Sequence, residues 1–315
     1  MPSALFGLGC LLVFAVVRAV QDTFFGNVFQ SISFFIVASL AFGLSTAVFG
    51  AWAWHHNSKE VRALINQTRL FIALNATTAV AWIMYFFALK NIEPAIVNTL
   101  YTGIGPIAVL VLAQLRISMA HRTDTSWTEL LGHFGVLASL VAIAGVAVLD
   151  QSGLAGPSIS IRIVAVTVAV IGGVIIAISH MIARRLGDLG IGSAALMGLR
   201  YPLTFAIAVV AELALGQAGT RPEMEALPLL ALAAFGLIVI PSFFLQLGIA
   251  RTSPLTVNVM RALGPIFVFA AQQFDGRLRF SGATLACTIA FAFFAVLTSS
   301  LRGWAEARQV QTFVH

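Results

Sequence analysis

The sequence predicts an all-α, polytopic membrane protein with ten transmembrane helices arranged as two five-helix inverted repeats. Of its 315 residues, 59% are hydrophobic and only 10% are charged, whereas a soluble domain carries roughly 25% charged residues. The apolar residues form runs of about 20, the length that crosses a bilayer as a helix. The segments between these runs are too short for an extramembrane domain, so any function lies within the bilayer or at its faces.

Each predicted span is an apolar run that polar or basic residues separate from the next. In chain order, the spans are 4–28, 31–54, 70–89, 95–115, 130–149, 162–183, 194–215, 227–249, 254–273 and 281–301. The first two are the least separated, because the stretch QDTFFGNVFQSIS between their apolar cores is only moderately polar. Residues 1–155 and 156–315 form the two five-span halves of one membrane unit.

The basic residues of the short connections predict the orientation, because Lys and Arg concentrate on the cytoplasmic side. With a cytoplasmic N-terminus, the inside segments hold ten basic residues and the outside segments hold five. The inside residues are Lys59, Arg62, Arg69, Arg116, Arg122, Arg184, Arg185, Arg251, Arg302 and Arg308, and the outside residues are Lys90, Arg162, Arg221, Arg277 and Arg279. This bias predicts a multi-pass protein of the cell (inner) membrane with both termini in the cytoplasm.

Two segments about half a chain apart share a pattern. The fourth span begins PAIVNTLYTGIGPI at Pro94, and the ninth begins PLTVNVMRALGPI at Pro254. Both read Pro-x-x-Val-Asn and then Gly-Pro-Ile, and each follows an aromatic-rich turn that ends in a basic residue. Because each half holds an odd number of spans, the two halves would insert in opposite orientations. Such an inverted repeat permits alternating access around a site near the midplane.

These features resemble the drug/metabolite transporter superfamily, EamA type. The resemblance covers essentially the whole chain and rests on residues 85–90 with Pro106, residues 248–251 with Pro265, and the triplet 200–202. Two motifs of that family are absent, a Trp-Gly pair in the first span and a Glu-Arg pair after the fourth. The resemblance implies transport, most often export, of small metabolites such as amino acids or amphiphilic compounds.

Ionisable side chains within membrane spans are costly and therefore mark candidate sites. Arg18 and Asp22 lie four residues apart in the first span, where they can pair on one helix face, and Gln21 shares that polar side. Alternatively, the first helix ends near Val20 and leaves these residues in an interfacial loop. If the pair lies in the membrane, Asp22 is also a candidate proton-binding group.

Arg261 is the second charged candidate. It lies in the ninth span between Asn258 and a Gly-Pro pair, where half-helix ends and polar groups face a substrate in carriers with broken helices. Its guanidinium could instead snorkel to the cytoplasmic face. Its counterparts in the fourth span, Asn98, Tyr101 and Thr102, are neutral. We predict that these residues line a cavity built for one polar solute.

Further polar and aromatic residues complete the candidate set. Arg200 lies nearer the cytoplasmic end of the seventh span and is expected to snorkel. His180, in the sixth span, is either a core histidine or a proton relay. Trp82, Tyr85 and Gln246 are predicted solute contacts, with helix packing as the alternative.

Several classes of protein are disfavoured. The net charge of +6 comes from basic residues spread singly between apolar runs, without the basic stripe of a nucleic-acid-binding protein. Motifs of intramembrane enzymes, such as His-Glu-x-x-His, are absent, so we predict no catalytic residue, metal or cofactor. A channel is the other alternative, and it would show polar rings or a filter-like segment.

We therefore predict a secondary transporter that exports its solute by alternating access. The excess of arginine over aspartate within the spans favours a small anionic or zwitterionic metabolite, such as an amino acid or an amino-acid-derived compound. An opine-type metallophore is a polycarboxylate alternative. The predicted cavity lies between the first, third, fourth, sixth, eighth and ninth spans. The expected partners are this solute, the lipid bilayer and protons as coupling ion, and the protein is a monomer or homodimer.

Overall fold

A computed structural model describes residues 2–114, 127–216, 222–249 and 251–312, which are helical apart from short connections. The helices are α1 (Pro2–Val28), α2 (Phe34–His56), α3 (Ser58–Asn66), α4 (Thr68–Asn91), α5 (Pro94–Gln114), α6 (Trp127–Val148), α7 (Ile159–Asp188), α8 (Ser193–Leu199), α9 (Pro202–Leu215), α10 (Leu227–Ala234), α11 (Ile240–Ile249), α12 (Pro254–Gln272) and α13 (Gly282–Thr312). A 3₁₀ turn at Met224–Ala226 precedes α10, and a π-helical segment at Phe235–Val239 joins α10 to α11.

Within the described ranges, ten helical segments are long and apolar enough to cross a membrane. Eight are single helices, namely α1, α2, α4, α5, α6, α7, α12 and α13. The other two are the pair α8–α9 and the run from Met224 to Ile249 that includes α10 and α11. These segments overlap the ten predicted spans and confirm the all-α, ten-span fold class, whereas the inverted repeat stays a prediction.

Helix ends and one short helix differ from the sequence prediction. α7 continues to Asp188 and α13 to Thr312, beyond the predicted ends at 183 and 301. An apolar run marks only the part of a helix that lies in the hydrocarbon of the bilayer. The helical hydrogen bonding continues beyond it into the polar turns that follow. The additional helix α3 buries Val61 and Leu64 and exposes most of its polar residues. Outside the described residues lie the predicted end of the fourth span at 115, Arg116, Arg122 and Arg221.

The seventh span is broken between α8 and α9. Pro202 begins α9, has no backbone N–H and disfavours helical geometry at the residue before it. Asn75 of α4 satisfies backbone groups at this break, because its Nδ2 donates to the Leu199 carbonyl at 2.8 Å and its Oδ1 accepts from the Leu203 N–H at 3.3 Å. The break therefore places Arg200 inside the bundle without leaving these backbone groups unpaired.

The connections collect at two ends of the bundle, because successive spans alternate in direction. We call the end where α1 begins proximal and the end where α1 finishes distal. At the proximal end, Glu60 accepts a hydrogen bond from the Gly192 N–H at 2.8 Å. At the distal end, Arg277 Nη1 donates to the Gly26 carbonyl at 2.7 Å. Each of these contacts joins the first half of the chain to the second.

Close approach of α5 and α7 depends on glycine. A Cβ atom on Gly173 of α7 would lie 2.5 Å from the Tyr101 carbonyl oxygen and 2.4 Å from Ile104 Cγ2. No larger residue fits without moving α5, as is usual where small residues let membrane helices touch. This packing fixes Tyr101 beside α7 in the middle of the bundle.

Candidate solute-binding cavity

A polar cavity lies inside the bundle, between helices from both halves of the chain. The residues that line it are Phe14, Ala15, Arg18, Trp82, Asn98, Tyr101, Thr102, Ile176, His180, Arg200, Tyr201, Ser242, Leu245, Gln246, Arg261 and Gly264. They belong to the six spans expected from the sequence and, in addition, to the seventh. The cavity volume is about 80 Å³.

The cavity occupies the middle of the bundle and extends toward the proximal end. His180 and Gln246 lie in the proximal parts of α7 and α11, and Arg261 lies two turns into α12 from its proximal start. The lining residue nearest the distal end is Asn98, one turn into α5. The polar lining is therefore displaced toward one face of the membrane.

Arg18 and Asp22 form a buried ion pair beside the cavity. Arg18 Nε lies 3.2 Å from Asp22 Oδ1, and the Asp22 side chain is fully buried. Asn98 Nδ2 donates to Asp22 Oδ2 at 2.7 Å, and Gln21 Nε2 donates to Asp22 Oδ1 at 3.3 Å. Because α1 continues to Val28, these residues lie within the helix and not in an interfacial loop. Arg18 lines the cavity, and Asp22 and Gln21 lie behind it.

Aromatic rings hold the Arg18 guanidinium in place. Its Cζ lies 4.5 Å from the centroid of the Tyr85 ring and 5.3 Å from that of Trp82, within the range of cation–π attraction. The Tyr85 and Tyr101 rings are 4.6 Å apart. Trp82 and Tyr101 line the cavity, whereas Tyr85 is fully buried outside the lining. The cluster restricts the rotamers available to Arg18.

Arg200 is a cavity residue that the sequence did not identify. It is only 4% exposed, so the expectation that it snorkels to the membrane face is wrong. Its Nη2 donates to Ser179 Oγ at 3.2 Å and to Thr78 Oγ1 at 3.4 Å, and its Nε has no hydrogen-bond partner among the described residues. The break before Pro202 turns the side chain inward, toward the hydroxyl groups of α4 and α7. The Tyr-Pro pair after Arg200 is the sequence feature that could have indicated the helix break.

Two prolines interrupt the backbone hydrogen bonding of helices that line the cavity. Pro265 of α12 has no N–H to donate to the Arg261 carbonyl four residues earlier, and Pro106 of α5 leaves the Thr102 carbonyl in the same state. Both Arg261 and Thr102 line the cavity. Each half of the chain thus contributes one polar cavity residue whose backbone carbonyl lacks the usual helical donor four residues later.

Asn258, a predicted site residue, lies outside the cavity lining and is exposed. It shares a helix face with Ala262 and Pro265, which are buried, but it lies nearer the proximal end, beyond the tightly packed part of α12. Its sequence counterpart, Asn98, is 2% exposed and donates to Asp22. Similar motifs in the two halves therefore place their asparagines in different environments.

The structure brings most of the predicted site residues together. Seven of the eleven predicted solute contacts line the cavity, namely Arg18, Trp82, Asn98, Tyr101, Thr102, Gln246 and Arg261. Three lie behind it and are fully buried, namely Gln21, Asp22 and Tyr85. His180 is half-buried in the lining, which it shares with Arg18, Arg200 and Arg261. Their roles in binding stay predictions.

A buried polar cluster at the distal end was not predicted from the sequence. Glu93, between α4 and α5, is fully buried and accepts hydrogen bonds from the Gly153 N–H at 2.7 Å, from Thr284 Oγ1 at 3.0 Å and from Gln272 Nε2. Burial raises the pKa of the Glu93 carboxyl, and the three hydrogen bonds partly oppose this shift. An acidic residue beside a helix end is ordinarily solvated, so no feature of the sequence singles out Glu93.

A larger, open groove of about 620 Å³ lies between α6 and α13. Its described lining carries no charged side chain and consists of Leu131, Phe134, Gly135, Ala138, Ser139, Ala142, Ala286, Cys287, Ala290 and Phe294. Leu131 and Phe134 are largely exposed on the outer surface of the bundle. Recognition of a polar solute needs polar groups, so we place the candidate site in the smaller polar cavity.

Comparison with known proteins supports the fold. No protein-family model matches the chain, and no curated protein matches it. Ten solved chains match it in structure. One, described only as a crystal structure of a protein, has a TM-score of 0.62 at 18% sequence identity, over 95% of this chain and 97% of its own. At that identity the likeness shows the fold alone, and the fold defines a multi-pass, all-α membrane protein.

Proposed function

We propose that this protein is a secondary carrier of the drug/metabolite transporter type that exports a small anionic or zwitterionic metabolite. One observation carries the proposal: a cavity in the middle of the membrane-spanning bundle is lined by both halves and by three arginines. Ionisable groups at this depth are costly unless they serve a function. A solute-binding site is the function that the surrounding polar groups support best.

The charge of the cavity points to the solute class. Three arginines line it, and among the described residues the carboxylate that pairs with one of them is Asp22. An arginine guanidinium binds a carboxylate through two parallel hydrogen bonds. An amino acid or an amino-acid-derived compound fits this chemistry, and a polycarboxylate of the opine metallophore type fits it as well.

The unequal ends of the bundle support alternating access. The cavity extends toward the proximal end, although Glu60 and Gly192 join the halves there. At the distal end the halves are bridged by other polar contacts, among them Asn27 Nδ2 to Asp275 Oδ1 at 3.4 Å and Arg279 N–H to the Gly153 carbonyl at 2.9 Å. A carrier must break one such set of contacts and form another to release its solute. The proposed opposite orientation of the two halves would let both states use the same site.

We further propose an inner-membrane location with cytoplasmic termini, which makes the proximal end the cytoplasmic one. Protons are the proposed coupling ion, with Asp22 and His180 as candidate carriers of the proton. Asp22 is fully buried and pairs with a cavity arginine, so its protonation would change the charge beside the solute.

Metabolite profiling followed by reconstitution tests the proposed function. A deletion strain should retain a small organic acid that its parent releases, and purified protein in vesicles should move that acid with saturable, solute-specific kinetics. Ohmic single-channel currents would instead indicate a channel. Chemical conversion of the acid during incubation would indicate an intramembrane enzyme.

A further inference from the structure

The three cavity arginines differ in how their charge is balanced. Arg18 pairs with Asp22. The other ion pairs of the described residues are Arg162–Asp150 and Arg277–Asp275, so neither Arg200 nor Arg261 is paired with a described carboxylate. With the Arg18–Asp22 pair neutral, the two remaining guanidinium groups leave two positive charges in the cavity wall.

Arg200 has donors that the surrounding protein does not use. It is 4% exposed, its hydrogen-bond partners Thr78 and Ser179 are neutral hydroxyl groups, and its Nε has no hydrogen-bond partner within the described part of the chain. Its Cζ also lies 5.4 Å from the centroid of the Tyr201 ring, a contact that carries no formal negative charge. The hydroxyl groups of Thr78 and Ser179 also form a hydrogen bond with each other at 2.8 Å. One of the two oxygens therefore already accepts a hydrogen bond from the other hydroxyl. A buried guanidinium offers five N–H donors and remains charged, so this arrangement is incomplete without an anionic acceptor.

Arg261 faces the same cavity from a different helix. It is half-buried in α12, whereas Arg200 lies in the break between α8 and α9. His180 shares this lining with both arginines. The cavity thus presents two guanidinium groups, from separate elements, that no described carboxylate pairs with, and a solute with two acidic groups would balance both charges.

We propose that the solute carries two acidic groups, of which Arg261 binds one and Arg200 binds the other. This inference rests on the proposed carrier function and narrows its solute class to small dicarboxylates. Arg200 is then a specificity-determining residue: it selects for the second carboxylate. A monocarboxylate or a zwitterion with one carboxylate leaves one buried guanidinium without a counter-ion.

Binding of matched acids to the purified full-length protein tests the inference. The probes are linear dicarboxylates from malonate to adipate, monocarboxylates with the same numbers of carbons, and inorganic phosphate, measured by titration calorimetry in detergent. We expect one dicarboxylate to bind about tenfold or more tightly than its monocarboxylate partner, the size of one charge-assisted contact. Equal affinities within every pair, or tighter binding of phosphate than of any dicarboxylate, would overturn the inference.

Variants assign the second carboxylate to Arg200. Arg200→Gln should reduce the preference for the dicarboxylate to about twofold or less, because affinity for the dicarboxylate falls by more than affinity for the monocarboxylate. Arg200→Lys keeps the charge and loses the planar fork, so it should retain part of the preference. It serves as a second test at this position if the glutamine variant fails to fold. Arg69→Gln is the matched control, because Arg69 is exposed at the start of α4. An undiminished preference in Arg200→Gln contradicts the assignment.

The outcomes separate this inference from the proposed function. Saturable flux of a monocarboxylate or zwitterion into vesicles, unaffected by Arg200→Gln, would refute the dicarboxylate assignment and leave the carrier function intact. Absence of saturable flux for any metabolite that the deletion strain retains would refute both.

Discussion

Arg18 and Asp22, one helical turn apart in α1, form an ion pair in which the carboxylate is fully buried and the arginine faces the cavity. Asn98, from the motif that begins the fourth span, donates to the same carboxylate. Removing one member of a buried pair leaves an uncompensated charge, whereas removing both need not. This difference makes the pair open to a direct test.

Asp22→Asn should destabilise the protein by about 3–5 kcal/mol, because it leaves the Arg18 charge without its counter-ion. The double variant Arg18→Gln, Asp22→Asn should be closer to the parent than the single variant. Thermal unfolding in detergent measures both. Asp150→Asn is the control, since Asp150 is 60% exposed and pairs with Arg162 at the surface. Equal stability of Asp22→Asn and the parent would show that the pair does not stabilise the bundle.

Proton coupling gives the second prediction. If protons drive export, collapsing the pH gradient with an ionophore should stop accumulation of the solute outside. Asp22→Asn should abolish the response of transport to the pH gradient, while transport of the solute down its own concentration gradient continues. The physical reason is that a protonated and an ionised Asp22 present different charge beside Arg18. Undiminished accumulation of the solute outside the cells without a pH gradient would contradict proton coupling.

Glu93 gives a prediction on pH and stability. Because burial raises its pKa in the folded protein, the folded state keeps this proton at pH values where the unfolded chain has lost it, and the contribution of Glu93 to stability falls as pH rises. The stability of the parent relative to Glu93→Gln should therefore increase as pH is lowered from about 8 to about 5. Thermal unfolding across this range checks it, with Glu223→Gln, at an exposed position, as control. A difference that is independent of pH would contradict the prediction.

Topology gives the fourth prediction. Lys and Arg in the connections predict that both termini are cytoplasmic, so a periplasmic phosphatase fused after His315 should be inactive. The same enzyme fused after Ser152, in the distal connection between α6 and α7, should be active. The reversed pattern of activity would show that the protein inserts the other way round.

The sequence predicted the fold class well because lipid imposes a simple requirement. Each span needs a long apolar run, and the ten runs are visible without any knowledge of packing. The pairing of Arg18 with Asp22 was also accessible, since one helical turn separates them. Local spacing was enough in these cases.

The parts that sequence reasoning missed depend on contacts between distant segments. From its position in the sequence, Arg200 is typical of a snorkelling residue. In the structure it is buried and bonds to Thr78 and Ser179, which come from two other helices. Glu93 resembles a loop carboxylate until Gln272 and Thr284 of the second half surround it. No local spacing encodes these neighbours. Thr78 lies 122 residues from Arg200, and Gln272 and Thr284 lie 179 and 191 residues from Glu93. Ser179 is only 21 residues from Arg200 but meets it through the break in the seventh span.

The proposed function is transport of a small organic anion across the membrane through the polar cavity, with Arg261 as a contact. Its most direct test is metabolite profiling, inside and outside cells, of a deletion strain complemented with the parent, Arg261→Ala, Arg261→Lys or the control Arg69→Gln, all at equal membrane abundance. We expect the parent and Arg69→Gln to restore release of at least one organic acid, Arg261→Lys to restore it partly because lysine lacks the planar fork, and Arg261→Ala to restore almost none. Full restoration by Arg261→Ala, or no acid whose distribution depends on the protein, would contradict the account.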